Sequence, residues 1–269
     1  MGMHSQTLDA FAGIDRLYGV GTVATLQGAC VYVVGVGGVG SWVVESLARS
    51  GIGEIRMADL DDICTSNINR QIHALEDTVG QSKIEVMAVR CRAIAPSIRL
   101  RLDHAFITEK TQEQFITSEI DCVIDCGDNQ MAKAALIAHA KRLKIPVLTL
   151  GAAGGRIDPS RIQVRDLAKT DGDALLAAVR QTLRNRFGFS RDPKSRFGVY
   201  AVYSDEQTRY QQADGGIGQE KPRGGQRLDC AGSLGAVTHV TASFAFAATA
   251  RALEMILSRK SRASTQASD

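Results

Sequence analysis

Five short apolar runs, Cys30–Val34, Ile55–Ala58, Ile98–Leu102, Cys122–Ile124 and Pro146–Leu150, alternate with segments of helical spacing at Ser41–Arg49, Lys83–Ala95 and Met131–Lys144. Strand-helix alternation is the rhythm of a doubly wound, mostly parallel α/β sheet of the Rossmann kind. Ligands bind such a sheet in the crevice beyond the carboxyl ends of the strands. From Arg161 the pattern changes. Arg161–Arg165 and Gly198–Tyr203 alternate polar and apolar residues, which predicts a C-terminal antiparallel extension with one wet face. Residues 1–160 are therefore expected to form a nucleotide-binding core. Residues 161–269 are expected to form a substrate-binding extension.

Within that extension, Asp205 to Arg227 is rich in glycine and charge, and reads as a mobile loop that orders with substrate. The last helix, roughly Leu234 to Leu257, is apolar, but Arg251 limits its apolar length to about 17 residues, the lower bound for crossing a bilayer. A buried or interface helix is the expectation, and membrane contact is not.

The ligand that the crevice awaits is indicated by Gly35-Val36-Gly37-Gly38-Val39-Gly40 between the first strand and the first helix. Backbone N–H groups at such a turn, aided by the helix dipole, seat phosphate. Asp59, at the end of the next strand, is where a ribose-binding carboxylate belongs. A nicotinamide enzyme needs little more. Here, however, Ser66-Asn67-Ile68-Asn69-Arg70-Gln71 and Gly80-Gln81-Ser82-Lys83 follow. An arginine and a lysine suit negative charge that grows on a triphosphate as its α-phosphorus is attacked. Asp128, after the fourth strand, is placed to hold magnesium against phosphate oxygens.

Neighbouring residues have plainer readings. Asp61 and Asp62 read as surface or helix-capping residues, Asn69 as a turn cap, and Asp125 as a strand end. Cys230 is a reactive thiol or a buried cysteine with equal weight.

Composition narrows the class. The chain has 269 residues, 44% of them hydrophobic, enough for one large core with an appended lobe. Its net charge of +3 hides a basic run, Arg180, Arg184, Arg186, Arg191, Lys194 and Arg196 against Asp192 alone. That run is either a nucleic-acid path or a solvated face. The six cysteines include no pair at two-residue separation, so a zinc-ribbon signature is missing. Met1–Thr7 is polar, unlike an export signal, and reduced cysteines fit a cytoplasmic setting.

These motifs resemble the ubiquitin-activating-enzyme-like (ThiF) superfamily, and within it the branch that dehydrates threonylcarbamoyladenosine in tRNA. The likeness runs through Phe11-Ala12-Gly13, Arg16-Leu17-Tyr18-Gly19, Gly35–Gly40, Asn67–His73, Gly80–Lys83, Gly151–Gly155, Ile157-Asp158-Pro159, Asp166–Thr170 and Asp229-Cys230-Ala231. It implies ATP and Mg2+ as cofactors. Gly35, Gly37, Gly38 and Gly40 would admit the phosphates, Asp59 would bind the ribose, Asn67, Arg70 and Lys83 would contact the triphosphate, and Asp128 would serve the metal. Arg16 would reach the phosphates of a neighbouring subunit, which implies a homodimer. The resemblance tips the basic run toward tRNA, and leaves open a cysteine-desulfurase or sulfur-acceptor partner. The alternative within the superfamily is an adenylyltransferase for the C-terminus of a ubiquitin-like sulfur carrier. Such enzymes typically carry two paired-cysteine motifs, which this chain lacks.

Overall fold

The computed structural model describes residues 3–212, 214–220 and 234–266. Its centre is a seven-stranded sheet in the order β3-β2-β1-β4-β5-β7-β6. The strands are β1 (Cys30–Val34), β2 (Glu54–Ala58), β3 (Arg99–Asp103), β4 (Cys122–Asp125), β5 (Val147–Leu150), β6 (Ile162–Asp166) and β7 (Tyr200–Ser204). All neighbours pair in parallel except the edge strand β6, which runs antiparallel to β7. The expected doubly wound α/β sheet is thus present. Its strand order reverses between β1 and β4, the switch point where a crevice opens.

β7 departs from expectation. It pairs parallel to β5, and Ala201, Val202, Tyr203 and Ser204 are all buried, so it has no wet face. Alternation in the sequence is misleading here because Tyr203 and Ser204 are polar yet buried, and Tyr203 Oη donates to Asp171 Oδ1 at 3.0 Å. Of β6 and β7, only β6 has exposed positions, at Val164 and Arg165.

Side-chain alternation on the strands divides the core. Val31 and Val33 of β1 face one cluster, built with α3 (Gly40–Arg49), α4 (Lys83–Ile94) and α8 (Thr238–Gln266). Cys30 and Tyr32 face the other, built with α6 (Gln130–Arg142) and α7 (Ala174–Arg186). Near the amino terminus, α1 (Met3–Tyr18) and α2 (Thr22–Gln27) contribute Phe11, Val23 and Leu26 to the first cluster. α5 (Gln112–Phe115) leads into β4.

α8 is long and apolar enough to cross a membrane by length and composition. In the fold, Val240, Phe244, Ala248, Ala252 and Ile256, spaced by four, lie against the sheet and α3 with no more than trace exposure. The segment after β7 forms a small antiparallel hairpin of β8 (Tyr210–Gln211) and β9 (Ile217–Gly218). The rest of the Asp205–Arg227 loop from residue 221, together with Cys230, lies outside the described residues.

Candidate active site

At the switch point, a cavity of about 340 Å3 is lined by the glycine turn and by loops after β2 and β4. Gly35 has φ +84°, a backbone conformation open to glycine, and an added Cβ would meet Cys126 and Gly127 backbone at 3.2 Å. Gly40 begins α3 so close to the turn that a Cβ would lie 1.8 Å from the Gly35 carbonyl. The two glycines therefore do different work. Gly35, Gly37 and Gly38 line the cavity, whereas Gly40 lets the helix N-terminus close on the turn behind them.

Asp59 lines the cavity with its carboxylate fixed from both sides: Val36 N donates to Oδ2 at 2.6 Å and Asp61 N to Oδ1 at 2.9 Å. Each oxygen keeps a lone pair for a further donor such as a ribose hydroxyl. Beneath the turn, buried His73 lies 2.8 Å from the Val36 carbonyl through Nε2. With that carbonyl as acceptor, Nε2 carries the proton, and burial pushes the imidazole below its ordinary value, so it stays neutral.

Arg70 lines the cavity, with Nη1 donating to the Ser66 carbonyl at 2.6 Å and to Asn69 Oδ1 at 3.0 Å. Its own carbonyl accepts from Trp42 Nε1 at 3.0 Å, which ties the loop to α3. Lys83, the first residue of α4, lines the same cavity and pairs with Asp61 at 2.7 Å. Asp61 is therefore more than a surface or capping residue. It pairs with a nearly buried lysine that lines the same cavity.

Asn67 does not line this cavity. It is buried, and its Oδ1 accepts from Cys64 N at 3.1 Å, closing the 3-10 turn Thr65–Asn67 that launches Arg70. Asn69 caps no turn. Its Nδ2 donates to the Ala236 carbonyl at 2.8 Å, just before α8.

Across the cavity, exposed Asp128 lies in the loop from β4 to α6. That loop is pinned by residues that sequence reasoning misses. Lys133 Nζ lies 2.9 Å from Asp125 Oδ2 and donates to the Gly127 carbonyl at 2.8 Å. Asp125, more than a plain strand end, also accepts from Thr149 Oγ1 at 2.7 Å. Lys133 and Asp125 are both buried and both line the cavity. The available signal is the run Met131-Ala132-Lys133-Ala134-Ala135-Leu136, in which Lys133 is the only polar residue.

A magnesium ion carried by nucleotide phosphates keeps several waters and needs only one or two carboxylates. Asp128 fits that demand, and among the described residues no cluster of three or more His, Cys, Asp or Glu forms an all-protein cage. Arg16 is exposed on α1, away from the cavity of its own chain. Burial raises the Cys30, Cys91 and Cys122 thiols to about 12, which leaves them protonated and unsuited as nucleophiles.

A Rossmann-like sheet with a phosphate-seating glycine turn and convergent cations at its switch point defines a nucleotide-binding α/β protein. The ThiF family profile matches residues 13–267, and the chain belongs to that family. It is 46% identical over 254 residues to the tRNA threonylcarbamoyladenosine dehydratase of Escherichia coli (strain K12), covering 94% of this chain and 95% of that one. Among solved structures, it is similar to the E. coli dehydratase in complex with ATP, with TM-score 0.84 and 42% identity over 95% of this chain and 96% of that one. The same enzyme with AMP matches at TM-score 0.84 and 44% identity, with the same coverage of both chains.

Proposed function

We propose that this chain is an ATP-dependent tRNA threonylcarbamoyladenosine dehydratase. The observation that carries the reading is the convergence of the glycine turn, Arg70, Lys83 and Asp128 on one cavity, in a chain that matches dehydratases over nearly its whole length.

Hydroxide is a poor leaving group, so dehydrating a carboxyl compound at neutral pH requires activation. The threonyl carboxylate attacks the α-phosphorus of ATP, an O–P bond forms, and pyrophosphate leaves. Arg70 and Lys83 stabilise the charge that grows on the triphosphate. Gly35, Gly37 and Gly38 admit the phosphates to the α3 N-terminus, and Asp59 takes the ribose hydroxyls. Asn67 supports Arg70 from behind, and Gly40 supports the turn. Magnesium at Asp128, when bound, supplies further charge neutralisation at the phosphates. A ureido nitrogen of the same modification then attacks the acyl carbon, a C–N bond forms and the C–O bond to AMP breaks. The nitrogen's proton is released, and one carboxylate oxygen leaves on AMP.

Arg16 of the partner subunit completes the charge set in this reading. Leu17, Tyr18 and Val20, exposed beside it, supply the apolar surface that a two-fold interface needs. Residues 1–160 then serve adenylation and 161–269 serve tRNA, in the cytoplasm where both substrates are found. The test is to incubate the chain with ATP, magnesium and tRNA bearing threonylcarbamoyladenosine, and to weigh the nucleosides. The expected result is a modified nucleoside lighter by one water, with one AMP formed per product. AMP formation without that mass change would overturn the reading.

A further inference from the structure

A second cavity, of about 450 Å3, opens beyond β5 and is walled by Arg156, Ile157, Arg209, Gln211, Ile217 and Leu234. Adenylation at the glycine turn makes no use of it. Its position is set by the segment just before α8. Ala236 lines this second cavity and accepts from Asn69 Nδ2 at 2.8 Å, while Thr238 Oγ1 donates back to the Asn69 carbonyl at 2.5 Å. Asn69 is the neighbour of Arg70, which lines the ATP cavity. The two cavities are therefore one residue apart along this shared wall.

The wall chemistry is two-sided. Ile157 and Ile217 are 49% and 66% exposed, an apolar surface suited to a flat aromatic ring. Arg156 and Arg209 supply positive charge, and among the described residues no Asp or Glu lines the cavity. Arg156 is 2% exposed, yet its Nε and Nη1 have no acceptor among the described residues. A buried guanidinium with surplus donors is costly unless a ligand or water accepts them. Glu206 does not relieve it, because its Oε2 accepts from Ile157 N at 3.0 Å and Asp158 N at 2.9 Å. Its Oε1 is 3.4 Å from Arg209 Nε, near enough for an ion pair but not aligned as a hydrogen bond.

Resting on the dehydratase reading, we propose that this second cavity receives the modified nucleoside itself, splayed out of its RNA loop. The purine lies between Ile157, Ile217 and Leu234, and Arg156 and Arg209 face the phosphodiester of the extruded nucleotide. The threonyl carboxylate then crosses the Asn69–Ala236 wall to reach the α-phosphorus of ATP. Extruded RNA bases are held in this way, by apolar or aromatic contact on the ring and cations on the backbone.

The experiment uses the full chain and two RNA stem-loops, one with threonylcarbamoyladenosine in the loop and one with an abasic site there. Ile217→Glu and Arg209→Gln both change exposed side chains, so folding is expected to persist, and a melting curve checks it. Ile217→Glu should raise the Kd and the KM for the modified RNA by about tenfold. Its Kd for the abasic RNA and for ATP should stay within about twofold. Arg209→Gln should weaken the modified RNA by a smaller factor in the same direction. Unchanged affinity for the modified RNA in both variants overturns the assignment. Equal weakening of the modified and the abasic RNA by Ile217→Glu also overturns it, because the surface would then be a backbone path and not a nucleoside seat. Wild-type turnover of the modified RNA separates the two readings. If it occurs while the variants bind normally, only the second-cavity inference falls, and if it is missing, the dehydratase reading falls first.

Discussion

Two lysines reach the ATP cavity from opposite sides, and each meets an aspartate. After β2, Lys83 pairs with Asp61, and the side chains are 8% and 56% exposed. After β4, Lys133 pairs with Asp125, at 1% and 2%. The first pair can open, because water can take over the solvation of Asp61 when the lysine turns to another anion. The second cannot, since parting would leave two unsolvated charges inside the protein. One region thus carries exchangeable charge. The other is a frame, fixing the loop that carries Asp128.

The largest expected effect falls on the frame. Lys133→Ala leaves Asp125 buried without its cation and should cost about 3–5 kcal/mol of folding stability. Denaturant unfolding of the purified variant measures this directly. A loss under about 1 kcal/mol would mean that water or another cation reaches Asp125, and the contrast between the two pairs would collapse.

Lys83→Ala and Arg70→Ala should show the reverse split. Each is expected to slow adenylation about 10²- to 10³-fold, since the missing charge acts mainly in the transition state. Stability should move by less than about 1 kcal/mol, because Lys83→Ala leaves Asp61 exposed and solvated and Arg70→Ala removes only exposed hydrogen bonds to Ser66 and Asn69. Pyrophosphate release gives the rate and thermal melting gives the stability. A parallel loss of both would place these residues in the frame instead.

A smaller effect is expected in the basic run, which the fold engages heavily. Arg186 pairs with Glu109 at 3.2 Å, Arg191 donates to Asn185 Oδ1 at 2.7 Å, and Arg184 lies over the Phe197 ring at 5.5 Å. Replacing Arg184, Arg186 and Arg191 together by Gln should lower the log–log salt slope of tRNA binding by about 0.7 to 0.9 for each phosphate that is no longer neutralised. ATP affinity should not change. An unaltered slope would make the run a solvated face.

What is legible in the sequence follows from the same contrast. Gly35, Asp59, Arg70, Lys83 and Asp128 announce themselves because glycine turns and strand ends are local signals. All five line one cavity. The partnerships are hidden, because they depend on how distant loops close. Lys83 and Asp61 are 22 residues apart, and nothing in either motif says that they meet. Asn67 reads as a phosphate contact because its motif surrounds Arg70, yet its Oδ1 accepts from Cys64 N within a turn and it does not line the cavity. The parallel strands are legible from their apolar runs. The parallel, buried placement of β7 is not, because its polar Tyr203 and Ser204 read as a wet face, while Tyr203 Oη in fact donates to Asp171 from inside the protein.

The finest test of the contrast is Asp61→Asn. If Asp61 only holds Lys83 until ATP arrives, removing its charge takes away a competitor and leaves the lysine in place. Stability should fall by no more than about 1 kcal/mol, the ordinary worth of a pair with one exposed partner. ATP should then bind equally well or a few-fold more tightly, most visibly at low ionic strength where the competing carboxylate is least screened. Titration calorimetry at two salt concentrations reads both the affinity and its salt dependence. A variant that binds ATP normally yet fails to release pyrophosphate would give Asp61 a part in the reaction itself, and the exchangeable pair would have to be redrawn as a catalytic one.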